Sequence, residues 1–256
     1  MKKFSVLLFI VCLLFFIAAI CASSPYRELR PYRFFGRTIP EKLGLNVRNV
    51  NGRLSTYIED NQGNGFYIDQ IPVTIYDYKK CIKEGYCQTH HYKNNYANYF
   101  NSALYNEFPV SFVTWHEAQT FCRAYGGDLP DMKQWELAAG SVYRYDYAWG
   151  SDEPTISRAN IDGFYQSQIP SGWLPLGASP YGILDLTGNV REWILDNNHS
   201  DDFGNGLKGG SYQDSFSIAK NETVFYHEPT SSGFNRGFRC VYPADIPEEK
   251  ETILSE

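Results

Sequence analysis

The sequence predicts an irregular α+β domain with few helices, short strands and long loops. Three observations predict it. Aromatic residues make up 16% of the chain, including 20 Tyr and 17 Phe, alongside 21 Gly and 13 Pro. Such residues favour short strands and tight turns over helix bundles. Helical stretches are short, and each opens on a capping residue. Apolar residues reach 43% against 20% charged, a balance that supports a packed core and argues against disorder. The formal net charge of −6 argues against a nucleic-acid partner.

The elements follow in chain order. Residues 23–63 are polar and irregular, with Pro25, Pro31 and Pro40, and read as an extension lying on a domain that spans 64–245. Gly65-Phe66-Tyr67-Ile68-Asp69 is strand-like. Ile75 to Lys83 reads as a short helix capped by Thr74. Residues 88–107, rich in Asn and Tyr, read as an ordered loop. Thr114 with Glu117 three residues later forms a capping-box pattern, followed by Trp115, Ala118, Phe121, Cys122 and Tyr125 at helical spacing. Gly126-Gly127 stops that helix. A further helix opens on Asp131 with Gln134, turns Trp135, Ala138 and Ala139 inward, and ends at Gly140. The remainder reads as loops and short strands, and residues 246–256 form an acidic, frayed tail.

Residues 1–22 read as an export signal. Lys2 and Lys3 precede an apolar run from Phe4 to Ile20, and small residues follow at Ala22, Ser23 and Ser24. An uncleaved anchor is the alternative, and Ala18-Ala19-Ile20-Cys21 loosely resembles a lipoprotein cleavage site, with Ile20 a poor fit. Membrane contact is expected only through such a retained or lipidated N-terminus. The protein is thus expected to be exported: periplasmic, cell-envelope or secreted. Cleavage leaves Cys81, Cys87, Cys122 and Cys240, an even number that suggests two disulfides in an oxidising compartment. Cys81 and Cys87 invite a local loop closure, which would leave Cys122 and Cys240 to pair across the chain. Zinc is the rival reading, but Cys-x5-Cys lacks the short ligand spacing and no His pair completes it.

Several segments occur in an order that resembles the formylglycine-generating-enzyme (sulfatase-modifying factor) family. They are Phe66-Tyr67-Ile68-Asp69 with Pro72-Val73-Thr74, Pro109-Val110 through Cys122, and Gly127-Asp128-Leu129-Pro130-Asp131 through Trp135-Glu136. Tyr147-Ala148-Trp149-Gly150, Ala159-Asn160, the long stretch Tyr181 to Trp193, Lys208-Gly209-Gly210-Ser211-Tyr212 and Gly237-Phe238-Arg239-Cys240 complete the series. Asp128 and Asp131 depart from the family pattern. The resemblance covers about residues 64–243 and implies an irregular C-type-lectin-like fold. It also implies a Cys122–Cys240 disulfide, and many bacterial members carry a local pair like Cys81 and Cys87.

The family's oxidases bind Cu(I) through two thiols five residues apart, just after the Gly-Gly-Ser-aromatic strand, and oxidise a substrate cysteine to formylglycine. Soft thiolates suit Cu(I). Carried onto this chain, those positions are Asp214 and Ala219, neither of which supplies a thiolate. No cysteine lies between Cys122 and Cys240, so copper is not expected. A sulfoxide-forming branch holds iron with three His. None of His90, His91, His116, His199 and His227 shows a metal-ligand spacing.

The resemblance implies a calcium site at Asp185, Gly188, Val190 and Glu192, the middle two through carbonyls, which suits an ion that takes six to eight oxygens. The plainer reading is a tight turn packed by Trp193. A second family site starts at Asn160 and Ile161 but lacks an assignable Asp. Asn198-His199-Ser200 and Asn221-Glu222-Thr223 match the glycosylation pattern. Among five Trp, Trp115, Trp135 and Trp193 are expected in the core, and Trp173 is the candidate exposed aromatic for a ligand groove shaped by residues 88–107 and 213–236. The expected function is a non-catalytic, calcium-stabilised binding or scaffold domain for a protein segment or glycan. The alternatives are an oxidase with an atypical metal site and a structural envelope subunit.

Overall fold

The computed structural model describes residues 45–88, 95–195 and 205–246. The export signal, most of the extension, His90, His91, Asn198, His199 and the acidic tail beyond residue 246 lie outside them. Two four-stranded sheets organise the described chain. The first has the order β1-β2-β3-β8, formed by β1 (Val47–Val50), β2 (Arg53–Glu59), β3 (Gly65–Asp69) and β8 (Val241–Pro243), antiparallel throughout. The second has the order β6-β5-β4-β7, formed by β4 (Arg191–Trp193), β5 (Asn205–Lys208), β6 (Phe225–His227) and β7 (Arg236–Gly237). Its β4 and β7 run parallel, the other pairs antiparallel.

The irregular reading of residues 23–63 is corrected from residue 47 onward, because β1 and β2 form a hairpin that extends the β3 sheet. Asn51 and Gly52 sit at its turn with φ of 53° and 85°, the pair of positive values that an Asn-Gly hairpin turn provides. That dipeptide was the local signal. Arg53 opens β2. Here it is buried and donates to Asp69 of β3 at 2.9 Å.

The described residues form four α-helices: α1 (Ile75–Lys83), α2 (Asn95–Asn101), α3 (Trp115–Ala124) and α4 (Met132–Ala138). The expected caps are in place. Thr74, Thr114 and Asp131 each accept from the N3 backbone, and Asp77, Glu117 and Gln134 return the bond. Each cap contributes about 1 kcal/mol. Gly126, with φ of 79°, ends α3, and at Gly127 any side chain would meet the Val241 carbonyl at 2.2 Å. The expected loop at 88–107 contains α2 instead. Asn is a weak helix former, but Phe100 buries against the Tyr78 ring at 6.5 Å, and tertiary packing overrides propensity.

Both expected disulfides are present: Cys81–Cys87 closes the end of α1, and Cys122–Cys240 ties α3 to the segment before β8. Trp135 and Trp193 are fully buried, Trp115 is half-buried, and Trp173 is 45% exposed. No helix among the described residues is long and apolar enough to cross a membrane.

Candidate functional site

The site is built around β4 and the loop that enters it. Asp185 and Asn189 adopt positive φ of 58° and 64°, and Gly188 reaches 91°. A side chain at Gly188 would meet the Asn160 carbonyl at 2.5 Å, so only glycine allows this approach. The Asn189 N–H donates to the Asn160 carbonyl at 2.8 Å. The Asn189 side-chain oxygen accepts from Asn160 Nδ2 and from the Ile169 N–H, at 3.2 and 3.0 Å. Three segments distant in sequence are thereby stitched into one floor.

The expected calcium ligands lie in this loop and at the start of β4. Asp185 is buried, and its Oδ2 accepts from the Gly172 N–H at 2.6 Å. Burial pushes its carboxyl up to about 6; the Gly172 bond and Arg239 pull down, and Glu192 pushes up. A buried carboxylate short of compensating charge suits a cation. Glu192 is largely committed elsewhere. Its Oε2 accepts from Arg239 Nε at 2.7 Å and from Trp135 Nε1 at 2.9 Å, and its Oε1 accepts from Arg239 Nη2 at 2.7 Å. One acceptor position on Oε1 stays free, since each carboxylate oxygen has two. Val190 lines the core. At the second position, Asn160 Oδ1 is buried and unpartnered, as a ligand oxygen would be, while the Ile161 carbonyl accepts from the Phe164 N–H. No group of three His, Cys, Asp or Glu capable of holding a metal occurs among the described residues. Of the expected set, Asp185 is thus a buried carboxylate held by one backbone N–H, and Glu192 is held by Arg239 and Trp135.

Asp214 and Ala219, the positions to which the resemblance carries the thiols, make other contacts. Asp214 sits in a fork with Arg191: Nε donates at 2.8 Å and Nη2 completes the pair. Its Oδ2 also accepts from the Ser211 N–H and hydroxyl, each at 2.7 Å. Burial alone would raise the Asp214 carboxyl, but the bonds from Arg191 and Ser211 outweigh it and hold it below its usual range. Ala219 is fully buried in a small apolar cluster with Ala159 and Ile161, flanked by Trp149, Phe164 and Phe216. Copper does not fit these residues: a carboxylate locked on a guanidinium and a methyl group offer no soft ligand.

The two loops expected to shape a groove do meet. Tyr99 of α2 stacks on Tyr105 at 4.0 Å and lies edge-on to Phe234 at 5.6 Å, and Phe234 in turn touches Phe112 and Tyr212. The exposed Trp173 belongs to a different loop, next to Gly172 and its bond to Asp185. Asn221 of the second glycosylation pattern is buried, and its Nδ2 donates to the Ala139 and Tyr145 carbonyls.

Sequence reasoning missed four residues of this region. Arg191 holds Asp214, Arg239 holds Glu192, and Arg236 and His227 lie beside Arg191. Strand alternation was the available signal, since Arg191 and Glu192 had to face opposite sides.

Residues 53–244 match the family described as the Sulfatase-modifying factor enzyme 1-like domain. A Bos taurus protein named inactive C-alpha-formylglycine-generating enzyme 2 is 32% identical over 161 residues, covering 55% of this chain and 52% of that protein. The formylglycine-generating enzyme of Streptomyces coelicolor is 32% identical over 172 residues, covering 54% of each chain. The chain thus spans about half the length of these curated relatives. Among solved structures, Treponema denticola variable protein 1 superposes with a TM-score of 0.57 at 15% identity, over 78% of this chain and 99% of that one. CarF superposes with a TM-score of 0.57 at 19% identity, over 78% and 96%. These two likenesses speak to fold alone.

Proposed function

The chain belongs to the sulfatase-modifying factor family, and from that premise we propose that it is a non-catalytic member, a binding or scaffold domain that works outside the cytoplasm. One observation carries the reading. Where the family's oxidases place two copper-binding thiols, this chain has Asp214 paired with Arg191 and Ala219 sealed in apolar packing. The two disulfides account for all four cysteines among the described residues and support an oxidising compartment. The kinship to a protein named inactive supports the same direction. The ligand is a protein segment or a glycan, held where α2 and Phe234 meet, with Trp173 as an exposed aromatic.

Titrating the full chain with Cu(I) in the presence of a Cys-containing sulfatase peptide tests this. The expected result is no stoichiometric copper binding and no peptide oxidation; tight copper binding with aldehyde formation would reinstate the oxidase. A thiol count under denaturing conditions should find no free thiol in the mature protein.

Calcium at Asp185 is part of the proposal. An ion bound at about a hundredfold above its Kd stabilises by roughly 2.7 kcal/mol, a rise of several degrees in Tm for a domain of this size. Melting curves in calcium and in chelator should separate accordingly, and superimposable curves would remove calcium from the reading.

A further inference from the structure

We infer that the rim of the second sheet beside Asp214 binds the anionic group of a ligand, a carboxylate, phosphate or sulfate, through Arg236 with Arg191 and His227 alongside. This rests on the binding role proposed above and names the charge of what is bound. Its readout involves neither copper nor thiols, so either reading can fail alone.

The strand register brings the residues together. Arg191 pairs with Arg236 across β4 and β7. Trp193 pairs with Leu207, and Leu207 with Phe225, across β5 and β6. Side chains alternate faces, so Arg191, Arg236, Phe225 and His227 share one face, opposite Glu192 and Lys208. Arg191 lies flat on the Phe225 ring at 3.7 Å, and its charge is matched by Asp214.

Arg236 has no such match. Its Nη1 donates to the Ser231 hydroxyl at 2.9 Å, its Nη2 meets His227 Nδ1 at 3.3 Å, and its Nε is buried without a partner. Every partner is neutral. Burial and then Arg191 lower Arg236 from its ordinary value. Burial, Arg236 and Arg191 lower His227, and its Nδ1 faces the always-donating guanidinium. The Glu228 carbonyl is engaged by the Ser231 hydroxyl at 2.7 Å. Among the described residues, the Arg191 guanidinium is paired with the Asp214 carboxylate and the Arg236 guanidinium with no carboxylate. Desolvated charge without a counter-charge is unfavourable, and a planar arginine fork is shaped for oxyanions. An arriving anion supplies the missing charge.

Isothermal titration of the full chain at fixed ionic strength, with inorganic phosphate, sulfate and N-acetylglutamate as separate probes, tests this. At least one should bind saturably with a Kd on the order of millimolar or tighter. Which probe binds best separates a carboxylate source from a phosphate or sulfate source. R236Q should weaken binding by roughly tenfold or more, the loss of one charge-assisted bond. R236K should weaken it less, and R123Q, at an exposed pair on α3, should leave it unchanged. Absence of saturable binding by all three probes, or equal affinity in folded R236Q, overturns the inference. Should R236Q fail to fold, R236K decides, and unchanged affinity there overturns it as well.

Discussion

Adjacent residues of one strand, Arg191 and Glu192, each take part in a guanidinium–carboxylate fork, and the two forks have opposite consequences. Glu192 points into the interior. Its pair with Arg239 is fully buried on both sides, and Arg239 also donates to the Asp69 and Leu184 carbonyls at 2.9 and 2.8 Å. That fork joins β3, the loop before β4 and the C-terminal segment, with Trp135 closing the last position on Oε2. Arg191 points to the rim. Its pair with Asp214 is 15% and 8% exposed. The same chemistry thus sits in the interior on one face and at a partly exposed rim on the other. What differs is access to solvent and the number of remaining partners.

Glu192→Gln breaks the interior fork and leaves Arg239 uncompensated. Removing one partner of a buried pair costs about 3–5 kcal/mol, so urea unfolding should show the largest loss of any single change proposed here. A loss below that of Asp214→Asn would invert the comparison. Replacing Cys122 and Cys240 together by Ala should cost about 2–5 kcal/mol, because the crosslink closes a long loop with a sequence separation of 118. The same change at Cys81 and Cys87, separated by 6, should cost less.

Asp214→Asn should cost about 1–3 kcal/mol and should not abolish folding. It also carries a pH signature. The folded carboxyl lies below its unfolded value. The stability it contributes is fully present above about pH 4, the ordinary carboxylate value, and is lost as pH falls through the lower folded value. Unfolding curves of wild type and variant should therefore differ near neutrality and converge in acid. A constant gap down to the acid limit would mean that the pair contributes nothing as an ion pair.

Much of the fold is legible locally. Thr74, Thr114 and Asp131 announce their helices because a cap and its N3 partner lie three residues apart. The cysteines announce their crosslinks by count, and Gly188 announces a close approach. The hairpin at 47–59 was also legible in Asn51-Gly52, but the polar residues around it masked the alternation. Helix α2 was not legible, since its Asn and Tyr become helical only against the core beneath Phe100.

The family frame, the lack of thiols at positions 214 and 219, and the even set Cys81, Cys87, Cys122 and Cys240 are written in the chain itself. Tertiary structure alone decided that Arg191 takes Asp214 across 23 residues and Glu192 takes Arg239 across 47. It also decided that Asn221 is internal and that Arg236 is left without a counter-charge. The reason is physical. Caps and turns are settled by neighbours a few residues apart, whereas the compensation of charge depends on which distant groups the folded chain brings within hydrogen-bond reach.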